Sequence, residues 1–242
     1  MSYKETKGNI FNSQAMAIVN TVNCVGAMGK GIALDFKLRY PEMFKEYQKI
    51  CFRHMLKPGQ ILPYTKSSPI ILNFAIKDDW KDPSRVEWIE ETLQKFVANY
   101  HTMGITSVAF PWMGAMNGGL PFEIIQSLTR KYLSELDDID VEVYDFDPNV
   151  PCALYNSLRH IVSTHLFTHK ELEQMSQIKV RYWEKIFNAV NDSNTKSMNN
   201  LCHYIVDGNR IIGKTNIERL FMFLTKYKEG KYSPRDLFFN NY

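Results

Sequence analysis

Two glycine-containing segments, residues 20–33 (NTVNCVGAMGKGIA) and 110–123 (FPWMGAMNGGLPFE), each stand between an apolar run and a helical repeat. This recurrence constrains the fold more than any other feature of the chain. Gly26, Gly29 and Gly31 let the first segment turn sharply, so that its backbone N–H groups face outward at the start of a helix, where they suit a phosphate. The second segment repeats the arrangement with Gly114, Gly118 and Gly119 ahead of Pro121, a residue tolerated in the first turn of a helix. Neither has the GxGxxG spacing of a dinucleotide fold or the GxxxxGK[ST] of a Walker A loop. One such loop is an ordinary strand-to-helix connection, whereas two at adjacent strand ends can enclose a diphosphate and the sugars on either side of it.

The surrounding pattern supplies those strands. Residues 15–20 form a nearly continuous apolar run of the kind buried on both faces, and helical spacing follows over 30–36. Pro41 breaks that helix, a second begins at Met43 and Phe44 and runs to Cys51, and Pro58-Gly59 ends it. Strands are expected at 60–66 and 69–76, with Lys77 at the exit of the second. Ser84 and Glu87 have capping-box spacing, and Val86, Ile89, Leu93, Phe96, Val97 and Tyr100 share the helical face behind them. Gly104 closes this helix, a strand spans 106–112, a helix carries Ile124, Ile125, Leu128 and Leu133, and a last strand covers 141–146. Strands alternating with helices predict an α/β fold of three layers, with a mixed, mainly parallel sheet and ligands at the carboxyl ends of its strands.

Past residue 149 the character changes, so domains are expected at 1–149 and 150–242, the second mainly helical. Thr168/Glu171 and Thr215/Glu218 both have the spacing of helix starts. Residues 204–212 suggest a hairpin turning at Asp207-Gly208, a weak likeness to a winged helix. Residues 1–149 carry 16 Lys+Arg against 18 Asp+Glu and residues 150–242 carry 13 against 8, so the basic surplus belongs to the second part. Such a surplus suits an anionic partner and argues against an acidic, DNA-mimicking module there. Cys24, Cys51, Cys152 and Cys202 form no CxxC pair, and neither a zinc site nor a disulfide framework is expected. No apolar stretch approaches the roughly 20 residues of a membrane span, and no apolar segment follows Lys4; a cytoplasmic protein without a membrane role is expected.

Four segments together resemble the macrodomain family, nearest the branch of DarG antitoxins and terminal ADP-ribose glycohydrolases: KGNI from Lys7, residues 20–33, NFAIKDDW from Asn73 and MGAMNGGL from Met113. The resemblance covers roughly residues 1–147. It implies ADP-ribose binding, with Asn9 and Ile10 near the adenine and Asn23 at the distal ribose; Asn20 can hydrogen-bond a ribose or orient the loop. The diphosphate would lie between Gly26, Met28, Gly29 and Gly31 of the first loop and Gly114, Ala115, Met116, Asn117, Gly118 and Gly119 of the second. The family's usual acid near the adenine is Asn9 here. Protein-directed glycohydrolases of this group use an extra aspartate where this chain has Gly118, which favours a nucleic-acid base as the carrier of ADP-ribose. No cofactor or metal is implied. The expected partners are ADP-ribose or ADP-ribosylated nucleic acid and a cognate ADP-ribosyltransferase toxin. The alternatives are a non-catalytic ADP-ribose reader and a hydrolase acting on ADP-ribosylated protein.

By the same resemblance Lys77 is catalytic, either as a nucleophile at the anomeric carbon or as a charge that stabilises the leaving group. An unperturbed lysine has a pKa of about 10.4, so the nucleophile needs a lowered pKa or a proton acceptor. A strand extended past Ile76 would put Asp79, and not Asp78, on the face of Lys77, which makes Asp79 the candidate partner. Trp80 and Trp112 flank the site; either could stack on a base, although core packing is the commoner fate of such residues.

Overall fold

In a computed structural model that describes residues 2–232, the chain divides into two compact units that part between Phe146 and Asp147. The first unit begins with strand β1 (Tyr3–Gly8), a 3-10 turn (Ile10–Asn12) and β2 (Ala17–Val22). Helices α1 (Gly31–Arg39) and α2 (Pro41–Phe52) follow, parted at Pro41, which becomes the first residue of α2. Then come β3 (Ile61–Tyr64), β4 (Ile70–Ala75), α3 (Val86–Asn99), β5 (Ser107–Pro111), α4 (Phe122–Leu133) and β6 (Asp140–Phe146). The sheet order is β1-β6-β5-β2-β4-β3, with β3 antiparallel to β4 and the other pairs parallel.

Strand alternation builds the three layers. Ala17, Val19, Leu72 and Phe74 face α3 and α4, where they meet Ile89, Leu93, Phe96 and Ile125. Ile18, Val22, Ile71 and Ala75 face α1 and α2, packing with Phe36, Met43 and Tyr47. Covered on both sides, β2 and β4 have no need of polar alternation, and their apolar runs are continuous. Phe110 meets Phe74 and Phe96 edge-on, with ring centroids 5.8 and 5.2 Å away; each such pair adds about 0.5–1.5 kcal/mol beyond its buried area.

Three expectations need correction. β1 was not anticipated: its residues YKETKG are largely polar because it is an edge strand, held to β6 by its backbone and to Arg130 through a bidentate bond to Glu5 at 2.7 and 2.8 Å. The Ser84/Glu87 capping box does not form; the N-cap of α3 is Arg85, and the buried Ser84 hydroxyl has no hydrogen-bond partner among the described residues. Ser84 instead gives its backbone N–H to the carbonyl of Gly118 at 2.9 Å, which draws it out of cap position.

The second unit contains α5 (Ala153–Thr164), α6 (His169–Ser176), α7 (Val180–Asn191) and α8 (Met198–Cys202), then the two-residue strands β7 (Ile205–Val206) and β8 (Asn209–Arg210), and finally α9 (Lys214–Lys228). Thr168 and Glu171 complete a reciprocal capping box on α6. Thr215 and Glu218 do not, because α9 starts earlier, from an N-cap at Gly213; this is the third correction. The hairpin turns at Asp207 and Gly208, both with positive φ (50° and 75°), as a two-residue hairpin of that twist requires. Fully buried Trp183 anchors the unit, its Nε1 donating to Ser176 Oγ at 3.0 Å.

Candidate functional site

The two glycine-containing loops leave the carboxyl ends of β2 and β5, which are neighbours in the sheet, and the segment bearing Lys77 leaves β4 on the other side of β2. Chain connections diverge to opposite sides of β2 here, the place where parallel sheets open a crevice. Backbone bonds tie the three segments together. Cys24 N donates to Asp78 O at 2.9 Å, joining the first loop to the lysine segment, and the Ser84–Gly118 bond joins that segment to the second loop.

Asn23 sets the shape of the first loop. Its Oδ1 accepts from Val25 N (3.1 Å) and Ala27 N (3.2 Å), and its Nδ2 donates to Ala27 O (2.6 Å). The buried hydroxyl of Tyr47 donates to Asn23 O at 2.8 Å and lies 3.1 Å from its Oδ1. The amide is thus committed to the loop's own backbone, whereas the resemblance sets it against a ribose. Asn20 is deeper than expected because β2 runs to Val22 instead of stopping at Asn20. Fully buried, it pairs across the sheet with Asn73 (Nδ2 to Oδ1, 2.8 Å), and Asn73 in turn donates to Leu62 O at 3.1 Å. Its amide thus ties β2 to β4.

Lys77 stands where the loops converge. It is half-buried, and its Nζ donates to the carbonyl of Asn117 at 2.7 Å. A Cβ on Gly31, whose φ is +56°, would lie 2.4 Å from Asn117 Nδ2, so the first loop approaches the second at this residue. Gly118 lies against Gly114: a Cβ there would stand 2.3 Å from Gly114 O. Gly26, Gly114 and Gly119 also take positive φ. Gly29, Gly31, Met116, Asn117 and Gly119 are exposed and Ala115 is half-buried. Ile10, Met28, Gly114 and Gly118 are buried, the first two with their side chains in the core on the α1/α2 side, so a ligand could meet those two only through backbone. Asn9 lies at the end of β1, its Oδ1 accepting from Phe11 N at 3.1 Å as the cap of the 3-10 turn.

Burial lowers the Lys77 pKa below the ordinary lysine value, and the carboxylate of Asp82 opposes that shift. Of the neighbouring carboxylates, that of Asp82 is the one whose charge bears on the Lys77 pKa. Asp79 accepts Lys81 N–H on its Oδ1 at 3.0 Å and Asp82 N–H on its carbonyl at 3.3 Å, closing a turn. β4 ends at Ala75, so the strand alternation on which the pairing of Asp79 with Lys77 rested does not extend to these residues. Asp82 and Tyr47 were both missed: one follows a turn that local spacing does not reveal, and the other reads as an apolar residue of α2. The two thiols of the first unit, Cys24 and Cys51, are buried and held in the neutral form. Burial, aided by Asp78 and then Cys51, pushes Cys24 up to about 12, and burial raises Cys51 as well. Among the described residues no group of three or more His, Cys, Asp or Glu could hold a metal, and no helix is long and apolar enough to cross a membrane.

The model of the Macro domain matches residues 19–129. DNA ADP-ribosyl glycohydrolases of Thermus aquaticus and Mycobacterium tuberculosis are each 38% identical to this chain, over 144 and 141 residues. Each match takes in 57% of this chain and 40% of the relative, so the chain spans about two-fifths of the length of the curated relatives it matches. Among solved structures, the macrodomain of Thermus aquaticus DarG superposes with a TM-score of 0.56 at 37% identity, covering 59% of this chain and 97% of that one. Thermosipho africanus DarTG in complex with ADP-ribose gives 0.56 at 32% identity, over 60% and 42%. The first unit thus reproduces nearly the whole of a DarG macrodomain, and the chain belongs to the macrodomain family.

Proposed function

We propose that this chain is an ADP-ribosyl glycohydrolase that removes ADP-ribose from a base of DNA, with Lys77 as its essential residue. The observation that carries the reading is the position of Lys77. Its Nζ is held by Asn117 O at the convergence of two loops suited to a diphosphate, and burial makes its proton easier to lose. In the reaction the bond from the anomeric carbon to the base nitrogen breaks, water supplies the oxygen that replaces it, and the base nitrogen takes a proton. A positioned ammonium would stabilise the departing group, while the free amine could attack the anomeric carbon.

The choice of DNA is supported by the relatives from Thermus aquaticus and Mycobacterium tuberculosis, which are DNA ADP-ribosyl glycohydrolases. Gly118 supports it too. An aspartate in that place, as the resemblance assigns to protein-directed enzymes, would drive its Cβ into Gly114 backbone atoms between 2.3 and 2.6 Å away. The relative that is a DNA ADP-ribosyl transferase–glycohydrolase fusion supports a cognate ADP-ribosyltransferase as partner, and the cytoplasm is the compartment proposed for both. The basic residues of 150–242 would engage the nucleic acid or that partner.

Comparing the wild type with Lys77→Ala on ADP-ribosylated DNA tests the reading, with release of free ADP-ribose as the readout. Wild-type release with a loss of about a hundredfold or more in the variant is expected. Binding of ADP-ribose with no release by the wild type would make the domain a reader, and release at equal rates would remove Lys77 from the mechanism.

A further inference from the structure

The lysine segment presents a side chain that the reaction itself does not use. Trp80 is 56% exposed, three residues beyond Lys77, and the turn fastened by Asp79 holds it outward. The segment is pinned on both sides of Trp80, to the first loop through Asp78 O and to the second through Ser84 N, so the backbone that carries the indole is tied to both loops of the lysine site. Trp112, the other tryptophan near the site, differs: it is half-buried and packs edge-on against Phe122 at 5.3 Å. An exposed, anchored indole contributes little to the core and leaves a π-face open to a ligand.

We propose that Trp80 is a stacking platform for a DNA base flanking the one that carries ADP-ribose; the inference rests on the DNA-directed reading above. The charges of the segment choose between kinds of occupant. Lys77, Lys81 and Arg85 balance Asp78, Asp79 and Asp82, so the strip offers no net attraction to a phosphate backbone or to an acidic peptide. What it offers is an aromatic face, with Lys81 Nζ 5.5 Å from the ring centroid, and a nucleobase is the part of DNA that such a face takes up whatever the sequence. A base bound there would hold the strand while its modified neighbour reaches Lys77.

The test uses the full chain and two substrates, a single-stranded oligodeoxynucleotide with one ADP-ribosylated base and the same modified nucleoside alone. The quantity read is the ratio of kcat/KM for the oligonucleotide to kcat/KM for the nucleoside. Trp80→Ala is expected to lower that ratio about 5- to 100-fold, mainly through KM, because stacking on one aromatic residue contributes that much per base. Trp80→Phe should restore most of it, and the loss should vary little with salt, since no phosphate contact is removed. An unchanged ratio in Trp80→Ala, equal losses on both substrates, or no rescue by phenylalanine would overturn the proposal while leaving the DNA-directed reading intact. Slower release by Trp80→Ala from ADP-ribosylated protein alone would make the occupant a peptide, which also overturns it. Absence of release from either DNA substrate by the wild type would remove the parent reading, and this one with it.

Discussion

Replacing Gly118 by alanine is expected to unfasten the second loop. The new Cβ would stand 2.3 Å from Gly114 O, 2.4 Å from Gly114 Cα and 2.6 Å from Gly114 C, where carbon atoms ordinarily sit about 3.5 Å apart or more. These are backbone atoms and cannot swing aside, and Gly114 itself is buried beside Ile89 and Leu120. Relief requires a shift of about 1 Å, and overpacking of this kind costs about 1–3 kcal/mol. The shift also pulls on two tethers, Ser84 N to Gly118 O at 2.9 Å and Lys77 Nζ to Asn117 O at 2.7 Å. Their loss adds about 0.5–1.5 kcal/mol each. Together these come to about 2–6 kcal/mol, which lowers Tm by about 4–24 °C for a protein of this size. Gly29→Ala is the comparison, because its Cβ meets nothing within 4 Å; its Tm should stay within about 2 °C of the wild type. Calorimetric melting and titration with ADP-ribose provide the readouts, with Gly118→Ala losing both stability and affinity. Wild-type melting and affinity in Gly118→Ala, or a fall in Tm as large in Gly29→Ala, would refute the packing argument.

Asn23→Ala removes three hydrogen bonds inside the first loop, so a loss of about 2–3 kcal/mol is expected. It should appear as a lower urea midpoint at unchanged m-value; an unshifted midpoint would mean that the loop keeps its shape without this amide. Asp82→Asn tests the electrostatics of Lys77. The Asp82 carboxylate favours the ammonium and raises the lysine pKa, so its removal lets burial lower that pKa further. With the free amine as the reactive form, the acidic limb of kcat against pH should move to lower pH. A limb that stays in place or moves upward would count against coupling between the two groups.

The layered α/β fold was legible because its main determinants are local. β2, β4 and β5 announce themselves as apolar runs since both faces are covered, and α3 shows one apolar face because its other face meets water. β1 was not legible, because an edge strand is specified by the backbone of its neighbour. Only β6, far along the chain, supplies that neighbour, with Tyr3 opposite Val141. The capping box at Ser84 failed for a related reason. Its spacing is right, but the backbone N–H is taken by Gly118, 34 positions away, and a short-range signal cannot anticipate a long-range competitor.

The site divides along the same line. The glycines of both loops and Lys77 stand out because few residues suit sharp turns or carry a titratable amine at a strand exit, and the structure brings them together through Asn117. The partner of Lys77 could not be read in this way. Strand alternation pairs residues at i and i+2 only while the strand lasts, and β4 stops at Ala75, the last residue in register with β2. Beyond that point the chain turns, and the carboxylate whose charge bears on the amine is the one five residues on. Asp79, freed from the lysine, has a different consequence, because the turn it closes sets Trp80 outward at the rim of the site. A single local event, the end of one strand, therefore bears both on which carboxylate's charge acts on the lysine and on which aromatic ring stands exposed three residues beyond it.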